Sequence, residues 1–168
     1  PRFIYMIENQ RGDGKAWPVG PYELASRLSY IIWGGPPDRQ LTNLAADGRL
    51  TDPQVVAQQA RRMLRDRRAI SRSTQFLSQW LQLARLDSLK PSKERFPDWD
   101  AQLGSDMKAE TIAFFREVAW HQRRPLSDIF RAQFTFATPR LARHYGLQPQ
   151  GPGMQKYDLS QVPSRGGI

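Results

Sequence analysis

The sequence contains no cysteine among its 168 residues. Disulfide bonds, thiolate metal sites and covalent attachment of c-type haem within this chain are therefore excluded, because each of them needs a cysteine sulfur. The absence leaves the redox compartment open, since a cysteine-free domain suits a reducing cytosol and an oxidising space equally well. For this chain alone we expect no cofactor.

The sequence also lacks a long apolar run. A membrane-spanning helix needs about 20 consecutive apolar residues, and the longest apolar cluster, residues 30–33, is far shorter. We therefore expect no transmembrane segment. No targeting segment is visible either. Because the chain begins at Pro1 rather than Met, we expect a fragment or a processed product of a longer protein.

Acidic residues are outnumbered, with 16 Asp and Glu against 25 Lys and Arg, which gives a net charge of +9. This excess favours acidic partners. Four arginines, Arg61, Arg65, Arg68 and Arg72, have the spacing that lines one stripe of an unbroken helix. This arginine cluster is a candidate docking surface for an acidic protein or for phosphates; the alternative is a solvated face. We do not expect nucleic acid to be the main partner, because no aromatic residues interleave with the cluster.

Apolar spacing and turn signals predict six or seven helices. Their expected starts are Pro21, Asp38, Asp52, Ala69, Asp98, Ser127 and Thr138. No alternation of strands and helices and no internal repeat is visible, so we predict an all-α fold with a single bundle-like domain. The helical domain covers residues 1–146 with a lead-in at 1–20. A Gly/Pro-rich tail, residues 147–168, is expected to be irregular or a short hairpin and to lead toward a following domain.

Two sets of polar residues are candidates for chemistry. Asp106, Glu110, Glu117 and His121 lie on the longest predicted helix, but the Glu–His spacing is four and no second copy exists, so we predict surface ion pairing rather than a metal site. His144 stands at a helix end, where it meets the last carbonyls; a metal or haem ligand is the alternative.

Other chemistry finds less support. No Gly-x-Ser-x-Gly is present and we predict no catalytic residues. Six aromatic residues are expected in the core because they lie on apolar stripes. They are Trp33, Phe76, Trp80, Phe114, Phe115 and Trp120.

Several motifs together resemble a known family. They are residues 24–30 with Trp33 and Pro37-Asp38, then Arg62-Met63-Leu64 with Asp66, then Phe76 with residues 79–81, then residues 134–136, and finally Leu141-Ala142 with His144-Tyr145-Gly146. In this order they resemble a helical domain of unknown function from planctomycete-type multidomain proteins associated with cytochrome c. Residues 165–168 resemble the start of the next domain in such proteins.

The resemblance implies a setting rather than a reaction. Such proteins are usually exported, so we expect a periplasmic or otherwise exported location, and several carry haem c in a neighbouring domain. No catalytic residues can be transferred. Arg27, Trp33 and His144 match the motifs and are candidate ligand or pocket residues.

Three hypotheses remain open. The chain is a non-catalytic structural or docking module of an exported, cytochrome c-linked electron-transfer protein, whose partners are neighbouring domains of the same polypeptide or an acidic protein. Alternatively, it is part of an enzyme whose active site is completed by neighbouring domains, which predicts a pocket with convergent polar groups near His144 or Trp33. The third hypothesis is an Arg-rich nucleic-acid-binding module, with affinity that falls steeply with salt.

Overall fold

A computed structural model describes residues 18–162 and 166–167. Most of the predicted lead-in therefore lies outside the described residues. The chain divides into two compact units, and the boundary between Ser73 and Thr74 falls inside one helix. Unit 1 ends at Ser73 and unit 2 begins at Thr74.

Unit 1 is helical in all its regular structure within the described residues. It contains α1 (Pro21–Ile32), α2 (Arg39–Ala46), a 3₁₀ turn (Arg49–Thr51), α3 (Pro53–Leu64) and the first part of α4 (Arg67–Trp80). The carboxylate of Asp38 accepts a hydrogen bond from the backbone N–H of Leu41 at 2.9 Å, and that of Asp52 accepts one from Gln54 at 2.8 Å. Each carboxylate satisfies a backbone donor that the first turn of a helix leaves unpaired. Both predicted helix starts are confirmed.

The buried face of α1 differs in part from the predicted stripe. Apolar spacing predicts a buried stripe that includes Ala25 and Ile31. Ala25 is buried, as is Ser29, but Ile31 is exposed, so the prediction is wrong for Ile31. In α3, apolar spacing predicts that Met63 and Leu64 are both buried; Met63 is buried, but Leu64 is exposed. Helical spacing predicts the centre of a buried stripe better than its borders, because a residue at the border can be either buried or exposed.

Helix α4 ends earlier than the sequence predicts. The apolar spacing suggests one helix over residues 69–86, but α4 stops at Trp80 and a separate short helix, α5, covers Arg85–Ser88. Between them Gln82 has a φ of 52°, a left-handed conformation that no right-handed helix contains. Phe76 and Trp80 are 62% and 56% exposed, so the prediction that these two rings lie in the core is wrong.

The longest helix, α6, covers Ala101–Arg116. Its N-terminal cap is Asp100, which accepts a hydrogen bond from the backbone N–H of Leu103 at 2.7 Å, rather than Asp98 as predicted. Beyond Arg116 the backbone continues as a π-helical segment, Glu117–His121. A 3₁₀ helix then covers Leu126–Phe130.

A small antiparallel sheet corrects the all-α prediction. Strand β1 (Phe134–Ala137) pairs with β2 (Gln155–Asp158). The structure is 58% helical, with seven helices among the residues it describes, but 5% of it is strand. Of the four residues of β2, only Tyr157 is buried. So short and polar a segment has no strand signature of its own; its position against β1 makes it a strand.

The last helix, α7, covers Pro139–His144 and lies between the two strands in sequence. Thr138 caps its start, as predicted. Gly146, a glycine that the sequence pattern predicts as the stop of this helix, follows its end with a φ of 73°. Two buried apolar clusters lie among the described residues of unit 2. One comprises Leu77, Phe114, Phe115, Val118, Ile129, Ala132 and Phe134. The other comprises Leu103, Ala137, Leu141, Ala142 and Tyr157.

Candidate binding surfaces

Trp33, the residue that directly follows α1, is contacted at both the edge and the face of its ring. Its indole N–H donates a hydrogen bond to the carbonyl oxygen of Met63 at 2.9 Å, and the side chain is 7% exposed. The guanidinium carbon of Arg68 lies 3.5 Å from the ring centroid, and that of Arg62 lies 5.4 Å from it. A cation at such a distance is attracted by the negative face of the ring.

Arg62 joins α2 to α3 through Asp38. Its Nη1 donates to Oδ2 at 2.7 Å and its Nη2 to Oδ1 at 3.1 Å, while its Nε donates to Gln59 Oε1 at 2.8 Å. This is the two-pronged geometry that a guanidinium and a carboxylate form best. The hydrogen bond from Arg62 holds the pKa of Asp38 below its usual range.

Asp66 fixes Arg68 at the break between α3 and α4. Its carboxylate accepts hydrogen bonds from Arg68 Nη2 at 2.8 Å, from Nε at 3.1 Å and from the backbone N–H of Arg68 at 2.9 Å. The side-chain hydrogen bond from Arg68 is the main reason that the pKa of Asp66 is lowered to about 2. The guanidinium above Trp33 is thus an ordered group.

The break at residues 65–66 also decides the geometry of the arginine cluster. Arg61 and Arg65 lie at the end of α3, while Arg68 and Arg72 lie on α4, so the four do not share one unbroken helix. The side chain of Arg72 runs past Gly34, where an added Cβ would come within 3.0 Å of its Cδ. Trp33, Arg68 and Arg72 are therefore neighbours in space.

Three arginines of this region are left exposed. Arg61, Arg65 and Arg67 form no ion pair or side-chain hydrogen bond within the described residues. Arg27, by contrast, pairs with Glu23 one turn earlier in α1 at 3.1 Å. That pairing supports the helix locally.

In unit 2, His144 borders an apolar pocket of about 430 Å³. Six residues form the apolar lining: Leu89, Pro91, Phe96, Pro97, Trp99 and Met107. The polar lining consists of Arg95, Asp98 and His144. A pocket near His144 is therefore present, and its walls are mostly apolar with three polar side chains.

Glu110 lies in a second, more polar cleft of about 240 Å³. The hydroxyl of Thr135 donates a hydrogen bond to its Oε1, and the hydroxyl of Tyr145 donates to its Oε2 at 2.6 Å. These bonds tie α6 to β1 and to the residue that follows α7. The sequence does not predict this carboxylate–hydroxyl group, because its members are 25 and 35 residues apart.

Surface ion pairing proves wrong for Asp106, the first acid of the α6 set. Asp106 is buried, and it accepts hydrogen bonds from Thr138 Oγ1 at 2.6 Å and from Gln102 Nε2 at 3.0 Å. Both of these partners are uncharged. A buried carboxylate satisfied by a hydroxyl and an amide fastens α6 to the start of α7.

For Glu117 the ion pairing is confirmed, although its side chain is only 18% exposed. Its carboxylate pairs with His121 at 3.0 Å, as predicted, and also with Lys156 of β2 at 2.7 Å. The hydrogen bond from Lys156, followed by that from Gln122, lowers the pKa of Glu117 to about 2. The π-helical segment is thereby tied to the sheet.

Metal ligation and membrane crossing find no support in the residues described. There, no group of three or more His, Asp or Glu side chains could hold a metal ion. None of the described helices has the length and apolar character that crossing a bilayer requires.

A family model described as PSD4, protein of unknown function (DUF1592), matches residues 19–147. The chain belongs to the PSD4 family. The resemblance to a helical domain of unknown function is confirmed at that level. No curated protein and no solved structure matches the chain. The PSD4 match begins just before α1 and ends after α7, so it includes β1 but not β2.

The motif positions of unit 1 contact one another in this PSD4 chain. Trp33 donates a hydrogen bond to the carbonyl of Met63, and Arg62 pairs with Asp38. Asp66 accepts hydrogen bonds from the guanidinium of Arg68, which lies above the indole. From the sequence, Asp38 is recognised as a helix cap, and both Asp38 and Arg62 belong to the family motifs, but their pairing is not predicted. Arg62 and Asp38 are 24 residues apart in the sequence, so no local pattern predicts their ion pair.

Proposed function

We propose that this PSD4 chain is a non-catalytic docking module of a larger protein. The observation that carries the proposal is that some of its arginines are paired within the fold whereas others are exposed. Arg62 and Arg68 pair with Asp38 and Asp66 inside unit 1, whereas Arg61 and Arg65 are exposed and have no acidic partner among the residues that the structure describes. The guanidinium groups of the exposed arginines are therefore available to bind an acidic surface of a partner.

The setting of the module is the finer part of the proposal. The sequence motifs resemble a domain of exported, cytochrome c-linked proteins, and the absence of cysteine assigns any covalently bound haem c to a neighbouring domain. We propose that the exposed arginines meet an acidic face of that neighbour or of a separate acidic electron-transfer protein.

The docking surface can be tested by amide hydrogen exchange of the isolated chain and of the longer protein that contains it. Docking predicts slower exchange of residues 58–72 in the longer protein, and recovery of fast exchange in the double variant Arg61→Glu/Arg65→Glu. The matched control, Arg123→Glu/Arg131→Glu, changes two exposed arginines of unit 2 and should leave that protection intact. Equal exchange of residues 58–72 in both proteins would contradict the proposal.

The cytochrome link has its own test. The complete sequence of the longer protein should contain an export signal and a Cys-x-x-Cys-His segment outside this chain. A complete sequence without either removes the cytochrome setting while leaving the docking proposal to the exchange experiment.

A second candidate is an enzyme whose active site neighbouring domains complete. The observation in its favour is the cleft beside Glu110, where Thr135 and Tyr145 orient a carboxylate. A structure of the longer protein in which polar groups of another domain enter this cleft would support it. The same structure with the cleft open to solvent, or filled by apolar side chains, would rule it out.

A further inference from the structure

The pocket beside His144 is built by the segment between α5 and α6. Trp99 organises that segment: its indole N–H donates a hydrogen bond to the carbonyl of Leu89 at 3.3 Å, and its own carbonyl accepts one from Lys93 Nζ at 2.6 Å. Two further backbone bonds lie within it, from the N–H of Phe96 to Ser92 at 2.9 Å and from that of Trp99 to Phe96 at 3.2 Å. The apolar wall is therefore shaped by the loop's own bonds.

Gly104 allows the indole to approach α6. A Cβ added at this position would lie 3.0 Å from the carbonyl oxygen of Leu86 and 3.3 Å from Cζ2 of Trp99. Glycine weakens a helix interior, so its presence in the second turn of α6 matches the close packing of the indole. Trp99 and Met107 pack against the second buried cluster of unit 2 and so give the pocket a fixed floor.

The polar lining of the pocket forms no ion pair or side-chain hydrogen bond within the described residues, although the centroid of the His144 ring lies 5.7 Å from that of the Tyr145 ring. Its three residues, Arg95, Asp98 and His144, are exposed. Arg95 and His144 offer N–H donors, and Asp98 is the single acidic group. An apolar pocket of roughly 300–1,000 Å³ with a few polar groups is the usual form of a small-molecule site.

We propose that this pocket binds an amphiphilic carboxylate, with its apolar body against Trp99 and Met107 and its anionic end near Arg95 and His144. The two donors and the chain's charge of +9 favour an anion over a cation. Asp98 opposes the anion and limits its affinity. The site lies in unit 2 and uses none of the arginines of the proposed docking surface, so either proposal can fail without the other.

The test uses three probes of equal chain length: octanoate, octanol and octylammonium. Titrations of the complete chain are followed by NMR at the Met107 methyl and the Trp99 indole N–H. Octanoate should bind most tightly and octylammonium most weakly. Binding of octylammonium as tight as that of octanoate, or the absence of a shift at both reporters up to the solubility limit of octanoate, would overturn the proposal.

Two variants examine the anion contact in opposite directions. Arg95→Gln should weaken octanoate about five- to tenfold, as expected for one charge-assisted hydrogen bond at an exposed site. Asp98→Asn should strengthen it about two- to fivefold by removing a like charge. The control, Arg131→Gln, removes an exposed arginine outside the pocket lining. If Arg131→Gln weakens octanoate as much as Arg95→Gln does, the attraction comes from overall charge and the site is refuted.

Discussion

The guanidinium carbon of Arg68 lies 3.5 Å from the centre of the Trp33 ring, and Asp66 holds it there through two side-chain hydrogen bonds. Trp33 directly follows α1 and Arg68 is the second residue of α4, so this stack joins the first helix of unit 1 to the last. An arginine that sequence spacing offers for docking thus has a structural role.

Removal of this guanidinium should destabilise the protein. Arg68→Gln loses the stack on Trp33 and the pairing with Asp66, and we therefore expect the free energy of unfolding to fall. Arg67→Gln, at an exposed neighbour without such contacts, should stay within about 0.5 kcal/mol of the unmodified protein. Urea unfolding followed by circular dichroism measures both. Equal effects would contradict a structural role for Arg68.

The hydroxyl of Thr138 should matter more than its methyl group. It donates to the buried carboxylate of Asp106 at 2.6 Å and accepts from the backbone N–H of Leu141 at 3.2 Å. Thr138→Val keeps the shape but removes both bonds, and we expect a loss of about 2 kcal/mol in unfolding free energy. Thr138→Ser keeps the hydroxyl and should lose less than half as much. Thermal unfolding of Thr138→Val and Thr138→Ser measures whether the hydroxyl contributes more stability than the methyl group.

Glu117 predicts a dependence of stability on pH. Its pKa is about 2 in the folded protein, against an ordinary value of 4.5. A depressed carboxyl pKa stabilises the folded state fully above the unfolded value and loses that contribution as pH falls through the folded one. Glu117→Gln should therefore be less stable by about 2 kcal/mol at pH 7, because most of the side chain is buried.

The difference between Glu117→Gln and the unmodified protein should shrink as pH falls from 5 toward 2. Urea midpoints measured across this range provide the readout. Glu94→Gln is the matched control: Glu94 is exposed and forms no described ion pair or hydrogen bond, so its midpoint should follow the unmodified protein at every pH. A gap for Glu117→Gln that is constant with pH would refute the assignment.

At Gly104 close packing should outweigh helix propensity. Alanine favours a helix over glycine by about 1 kcal/mol, but its Cβ would press on the carbonyl of Leu86 and on the Trp99 ring. We expect Gly104→Ala to lower the unfolding free energy by about 1–2 kcal/mol overall. Ser105→Ala, at the exposed neighbouring position, should change it by less than about 0.5 kcal/mol. A stabilised Gly104→Ala protein would show that Trp99 can move away freely.

Helix caps and stops could be predicted from the sequence, because they depend on residues that are close together in the chain. The caps at Asp38, Asp52 and Thr138 and the stop at Gly146 each depend on a side chain or a φ within a few residues of the helix end. The cap of α6 is assigned to Asp98 instead of Asp100 because two acids stand within one turn of each other and composition alone does not choose between them.

Features that depend on distant residues could not be predicted. Helical spacing places Phe76 and Trp80 on an apolar stripe, but it does not say which stretch of that stripe the fold covers. The pocket beside His144 likewise depends on residues that are distant in the sequence. His144 is recognisable as the end of a helix, whereas its neighbourhood with Trp99 arises only when α7 and the segment before α6 come together.

The position of β2 bears on how fragments of this family are best cut. A chain stopped at residue 147, where the family match ends, would lack Tyr157 from its second apolar cluster and Lys156 from the carboxylate of Glu117. It would also leave β1 with unpaired backbone N–H and C=O groups, an edge on which other chains can add. Recombinant boundaries drawn from the family match alone would therefore yield a protein that tends to aggregate, and they belong beyond the second strand.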